Sequence, residues 1–159
     1  MKTILITGAT DGIGKALAQN YHKQDERLVL IGRRPLAQLN DPIFTPNTYC
    51  QADLNLPDCA DRITSFLTQH NIDSIDIAIQ NAGVGYYGPI AEQSSDSIQN
   101  TLTVNLIAPL KLSQALYLHL KKTQGKLVFI GSIAHALPAP DYAVYAASKT
   151  AINAFAQNL

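Results

Sequence analysis

Ser132, Tyr145 and Lys149 are the residues whose types and spacing could do chemistry in this chain. Tyr145 and Lys149 stand four apart, which places them on one face of a helix, one turn from each other. A phenol beside an ammonium can give and take a proton, because the positive charge favours the phenolate. The serine lies thirteen residues before the tyrosine. Alone, the Tyr-x-x-x-Lys spacing describes a packing tyrosine and a solvated lysine equally well. Its meaning depends on what the rest of the chain positions beside it.

The chain opens on T-I-L-I-T (Thr3 to Thr7), a β-branched apolar run that suits a strand buried on both faces of a parallel sheet. G-A-T-D-G-I-G follows, with Gly8, Gly12 and Gly14, and passes into an alanine-rich helical pattern through about Gln24. Strand, glycine turn and helix in that order are the setting in which a helix N-terminus holds a pyrophosphate. Close approach of the backbone to the phosphates leaves no room for Cβ atoms. The second strand, R-L-V-L-I-G (Arg27 to Gly32), runs straight into Arg33 and Arg34. A site for NAD usually carries a carboxylate here for the ribose 2′-hydroxyl. A guanidinium grips a 2′-phosphate instead, which favours NADP over NAD. Asp11, a carboxylate in the glycine turn, works against that preference. Solvated arginines at a strand end are the plain alternative.

Pro35 to Pro46 is irregular, with room for one short helix at most. Thr48 to Ala52 reads as a third strand leading to Asp53 and Leu54, where the aspartate either meets an adenine amino group or caps a turn. Asp58 to His70 carries the apolar stripe of a surface helix. Ser74 to Gln80 reads as the fourth strand. Asn81-Ala82-Gly83 then lets a flat ring or a ribose approach where strand order reverses, unless it is a plain turn. From about Ser94 to Lys122 the pattern is one long helix containing Asn105 and Pro109. The proline ring clashes with the carbonyl four residues back, that of Asn105, and leaves it free to bind water. Gly125 to Gly131 is the fifth strand, with Ser132 just after it. Asp141 is the expected N-cap of a last helix running through Leu159.

The 159 residues suit one domain over 1–159, and 47% hydrophobic with 15% charged residues fits a globular protein rather than a disordered one. Twelve basic and twelve acidic residues balance, so no strong field draws the chain to nucleic acid or an anionic membrane. No apolar run is long enough to span a bilayer. Cys50 and Cys59 have neither metal-site nor disulfide-scaffold spacing, so no metal is expected. These features together point to the cytoplasm.

The order of the motifs T-G-A-T-D-G-I-G, N-A-G, Asn105, Ser132 and Y-A-A-S-K resembles the short-chain dehydrogenase/reductase family, in its compact branch, over essentially the whole chain. The resemblance implies an α/β fold, a Rossmann-type doubly wound parallel sheet in order 3-2-1-4-5. It implies hydride exchange between NADP and a small carbonyl or secondary alcohol. Tyr145 would be the acid/base and Ser132 would hydrogen-bond the substrate oxygen. Lys149 would bind the nicotinamide ribose and favour the phenolate, and Asn105 would hold a water linking Lys149 to solvent. Cofactor contacts would come from Gly8, Asp11, Gly12, Ile13, Gly14, Arg33, Asp53, Leu54, Asn81, Ala82 and Gly83, together with Tyr145 and Lys149. Family members continue into further strands and a substrate-covering loop, so the chain is expected to be an incomplete piece whose fifth strand keeps an open edge. The alternatives are an inactive nucleotide-binding fragment and a module that dimerises through the helices at 94–122 and 141–159.

Overall fold

In the computed structural model, which describes Met1–Leu159, the first two apolar runs form strands with the expected bounds, β1 (Thr3–Thr7) and β2 (Arg27–Gly32). They are joined by β3 (Tyr49–Gln51), β4 (Ile77–Gln80) and β5 (Lys126–Phe129). All pairings are parallel and the order is β3-β2-β1-β4-β5. The helices are α1 (Gly12–His22), α2 (Cys59–Gln69), α3 (Ser95–Leu102), α4 (Ala108–Lys121) and α5 (Ala143–Asn158). This is the doubly wound Rossmann-like arrangement. Its parallel strands all present their C-terminal ends at one edge, the place where such sheets bind ligands.

Alternation along the strands divides the core in two. Leu5, Val29, Ile31 and Ala78 pack with Ile63 and Leu67 of α2 and with Leu112 and Leu116 of α4. On the opposite face Ile4, Ile6, Leu28, Leu30 and Ile79 meet Ala18 of α1 and the Ile43–Phe44 segment. Both faces of β1 are therefore covered, which is why its run is apolar without a break. At the far end, β5 pairs only with β4, and its residues alternate between exposed and half-buried. Cys50 and Cys59 are free and buried, and burial pushes the Cys50 thiol up to about 11. No helix is long and apolar enough to cross a membrane.

Two expectations change. The single helix over 94–122 is broken: α3 opens into a π-turn over Thr103–Ile107 before α4 begins, with Pro109 in its first turn. Proline cannot donate to the carbonyl of Asn105, and the backbone relieves the clash by widening one turn earlier. Asp141 is not the N-cap of α5. Its backbone is left-handed (φ 60°) and its carbonyl accepts from the N–H of Gly88 at 2.8 Å. That bond draws Asp141 toward the loop after β4, so α5 starts from Tyr142 with no side-chain cap.

Candidate functional site

The glycine turn is built by contact. Gly8 and Gly12 have positive φ (65° and 50°), a conformation open to glycine at little cost. Gly14 is buried, and a Cβ there would stand 2.3 Å from the carbonyl oxygen of Gly8. The turn, the first turn of α1 and the end of β4 are thus pressed together. Asp11 caps α1 by accepting from the N–H of Gly12 at 2.8 Å, so its carboxylate is tied to the turn it sits in.

Behind the turn, Thr7 is 1% exposed and serves the β4 end. Its hydroxyl oxygen accepts from the N–H groups of Asn81 (3.0 Å) and Ala82 (3.1 Å). The Asn81 amide reaches back and donates to the carbonyl of Thr7 at 3.0 Å. These bonds fix a cleft of about 540 Å³ along the strand ends. It is lined by Gly8, Asp11, Gly12, Arg33, Asp53, Leu54, Asn81, Ala82 and Gly83, all marked in the sequence. Ile13 is exposed and Gly14 is buried beneath the turn, and neither lines the cleft. The Asp53 carboxylate accepts from the N–H of Asn55 at 2.9 Å, so it caps a turn and also faces the cleft.

The two arginines after β2 separate by role. Arg34 donates to the carbonyl of Thr10 in the glycine turn, and its own carbonyl accepts from the Tyr49 hydroxyl at 2.6 Å. Burial pushes the Tyr49 phenol up to about 12, so it stays a donor. Arg33 is exposed at the cleft rim and pairs with no carboxylate.

The second centre lies at the β5 end. Ser132 follows the strand and its Oγ accepts from the N–H of Ala134 at 3.2 Å, opening a short 3-10 turn (Ile133–His135) against which α5 packs. An accepting hydroxyl keeps its own proton to donate elsewhere. Lys149 is buried and its Nζ donates to the carbonyl of Ile130 at 2.8 Å, two residues before Ser132. Burial pulls the Lys149 pKa down. Its Nζ also lies 5.7 Å from the centre of the Tyr145 ring. Neither Tyr145 nor Lys149 lines the cleft itself.

A hydrogen-bonded path joins the two centres. The Asn105 side chain, 2% exposed, accepts from the N–H of Val84 at 2.8 Å and donates to the Val84 carbonyl at 2.8 Å. Its second amide proton goes to Ser148 Oγ at 3.0 Å, and Ser148 donates to the carbonyl of Tyr145 at 2.7 Å. This path uses both amide protons of Asn105 and one acceptor position of its Oδ1. Sequence reasoning named Arg34 beside Arg33 but gave the site role to Arg33, and it did not single out Thr7, Thr10, Val84, Val104 and Ser148. Thr7 carried a signal, a polar residue closing an otherwise apolar strand. The others carried none.

Comparison with known proteins bears on this geometry. The family model for short chain dehydrogenases matches residues 2–159. The chain is 32% identical over 165 residues to dehydrogenase/reductase SDR family member 7B of Bos taurus, covering 96% of this chain and 50% of that protein. The chain thus spans about half the length of the curated relatives it matches. An alcohol dehydrogenase from the archaeon Thermococcus sibiricus, solved with 5-hydroxy-NADP, superposes with a TM-score of 0.88 at 25% identity, over 99% of this chain and 69% of that one. A 4-hydroxyisoleucine dehydrogenase solved with NADH and succinate also gives 0.88, at 27% identity, over 98% of this chain and 67% of that one.

Proposed function

The chain belongs to the short-chain dehydrogenase family, and from that premise we propose an NADP-dependent oxidoreductase that interconverts a carbonyl and a secondary alcohol with Tyr145 as acid and base. The path Val84–Asn105–Ser148–Tyr145 carries the reading, because it holds the tyrosine's helix to the wall of the strand-end cleft. Residues 1–159 act as one nucleotide-binding unit in this proposal. The same proposal puts the protein in the cytoplasm, which suits two free, buried cysteines.

The residues present fit a dinucleotide. The turn through Gly8 and Gly12 faces the cleft at the N-terminus of α1, the place where a pyrophosphate would be held. Gly8, Asp11, Gly12 and Ile13 would hold that group over Gly14, which packs beneath the turn, Asp53 and Leu54 the adenine, and Asn81, Ala82, Gly83 and Lys149 the nicotinamide half. Arg33 would take the 2′-phosphate, which supports NADP over NAD; the two solved relatives described above hold one of each kind. The bound cofactor supplies or accepts the hydride.

In reduction the Ser132 hydroxyl donates to the substrate oxygen, and Tyr145 supplies the proton that completes the alcohol. Lys149 orients the site through the Ile130 carbonyl. Its burial favours the neutral amine, so it releases a proton more readily than a solvated lysine. Water at the Asn105 carbonyl, which Pro109 leaves without its usual amide partner, would connect Lys149 to solvent. We assign the homo-oligomer contact to the helices at 94–122 and 141–159, where Ile107, Tyr117 and Leu118 stand exposed; light scattering should give a multiple of the chain mass, and a monomer would refute it.

Tyr145→Phe tests the mechanism. Turnover of a ketone with NADPH should fall by roughly 10³-fold while NADPH affinity by calorimetry changes less than about twofold. Unchanged turnover would remove Tyr145 from the reaction, and equal use of NADH and NADPH would remove the cofactor preference. A nucleotide-binding unit without turnover is the second reading, favoured because neither Tyr145 nor Lys149 lines the cleft. NADPH binding with no consumption across ketones and aldehydes would select it.

A further inference from the structure

Two further tyrosines are stacked beside the proposed proton donor, Tyr145. The ring of Tyr142 lies 4.5 Å from that of Tyr145, tilted by 43°, and Tyr87 lies 5.8 Å from Tyr142, tilted by 59°. Both spacings fall in the range that aromatic pairs favour. The arrangement is held from two directions. The N–H of Gly88 donates to the carbonyl of Asp141, fixing the loop after β4 to the start of α5. Gly85 leaves the space for the rings: a Cβ there would stand 3.0 Å from the Tyr142 hydroxyl and 3.0 Å from Cδ2 of Tyr145.

The stack also continues the cofactor cleft. Gly83 and Val84 line the cleft, and Gly85 and Tyr87 follow on the same loop. A group attached to the reacting carbon at Tyr145 and directed out of the cleft therefore meets Tyr142 and then Tyr87. Tyr87 is 75% exposed, a high exposure for an aromatic ring that already stacks on one neighbour. No lysine or arginine occurs in residues 83–90 or 132–145, and Asp141 is their one acidic residue. Apart from the exposed imidazole of His135, these walls offer rings and hydroxyls rather than the fixed cations that pair with a carboxylate or a phosphate.

We infer that Tyr142 and Tyr87 form a substrate wall selecting an uncharged substrate with an aryl group next to the reacting carbonyl. The inference deepens the oxidoreductase reading and rests on it. It is tested in the NADPH-loaded protein with two ketones of equal carbon count, acetophenone and cyclohexyl methyl ketone. The aryl ketone should be favoured in kcat/KM by about five- to tenfold, the scale of one aromatic contact. Tyr142→Leu should bring the ratio close to one, and Tyr142→Phe should keep it. A ratio near one in the unaltered protein, or one that Tyr142→Leu leaves in place, overturns the wall.

Should neither ketone turn over, the oxidoreductase reading fails separately. The wall is then judged by acetophenone binding, read by ligand-observed NMR. Binding weakened by Tyr142→Leu and kept by Tyr142→Phe supports it, and binding that is absent or indifferent to Tyr142 overturns it.

Discussion

On the β1–β4 side of the crevice, Thr7 is 1% exposed and its hydroxyl oxygen holds two backbone amides; on the β5 side, Ser132 is half-buried and Ile133 after it is 72% exposed. The nucleotide side is fixed by backbone pressed against backbone, with sheet on both flanks. The β5 side has sheet on one flank only, and its polar ties include Lys149 on Ile130, Asn105 on Val84 and Ser148, and the Gly88 N–H on the Asp141 carbonyl. Ser132, Tyr145 and Lys149 therefore sit on the less enclosed of the two sides.

The sharpest way to break the nucleotide side is Gly14→Ala. Helix propensity alone would reward alanine by about 1 kcal/mol. The new Cβ, however, would meet the Gly8 carbonyl at 2.3 Å, and overpacking against fixed atoms costs ~1–3 kcal/mol. We expect the clash to win, with nucleotide affinity falling at least about tenfold and a lower unfolding midpoint. Normal binding by calorimetry would mean that the turn can give.

Asn105→Ala cuts the tie between the two sides. It strands the Val84 N–H and carbonyl, and unmet buried polar groups cost ~1–3 kcal/mol. Denaturant unfolding should show a loss of about 2 kcal/mol. Turnover should fall further than nucleotide affinity, because the far end of the tie holds Tyr145. Equal losses in both would count against a division into two sides.

The smallest effect concerns pH. Burial lowers the Lys149 pKa, so below that lowered value both folded and unfolded chains carry the proton and the burial penalty is constant. Between the lowered value and the usual 10.5 the unfolded chain binds more protons, so the stability contribution rises with pH; above 10.5 it levels off. Lys149→Met should erase that rise in unfolding measured at stepped pH. A rise that persists would belong to another group.

Much of the fold is legible along the chain. β1 and β2 have the expected bounds because alternation and glycine punctuation are local. β4 starts later than its apolar run, because the Asp76 carboxylate and N–H both engage Thr3 before the ladder begins at Ile77. Over 94–122 the apolar stripe reads as one helix with a defect at Pro109; the form of that defect, a π-turn over Thr103–Ile107, is a backbone adjustment that side-chain periodicity does not announce. Asp141 has the right type for a cap. A hydrogen bond from Gly88, more than fifty residues earlier, put it to another use.

By itself the sequence determined the strand–turn–helix order, the glycines at 8, 12 and 14, and the one-turn spacing of Tyr145 and Lys149, because each depends on neighbours within a few residues. Only the tertiary structure decided which arginine stays free for a ligand, that the Asn105 side chain is a tie between loop and helix, and that Tyr87 meets Tyr142. Those outcomes depend on which atoms of distant segments arrive together. Types and spacing along a chain carry no record of that.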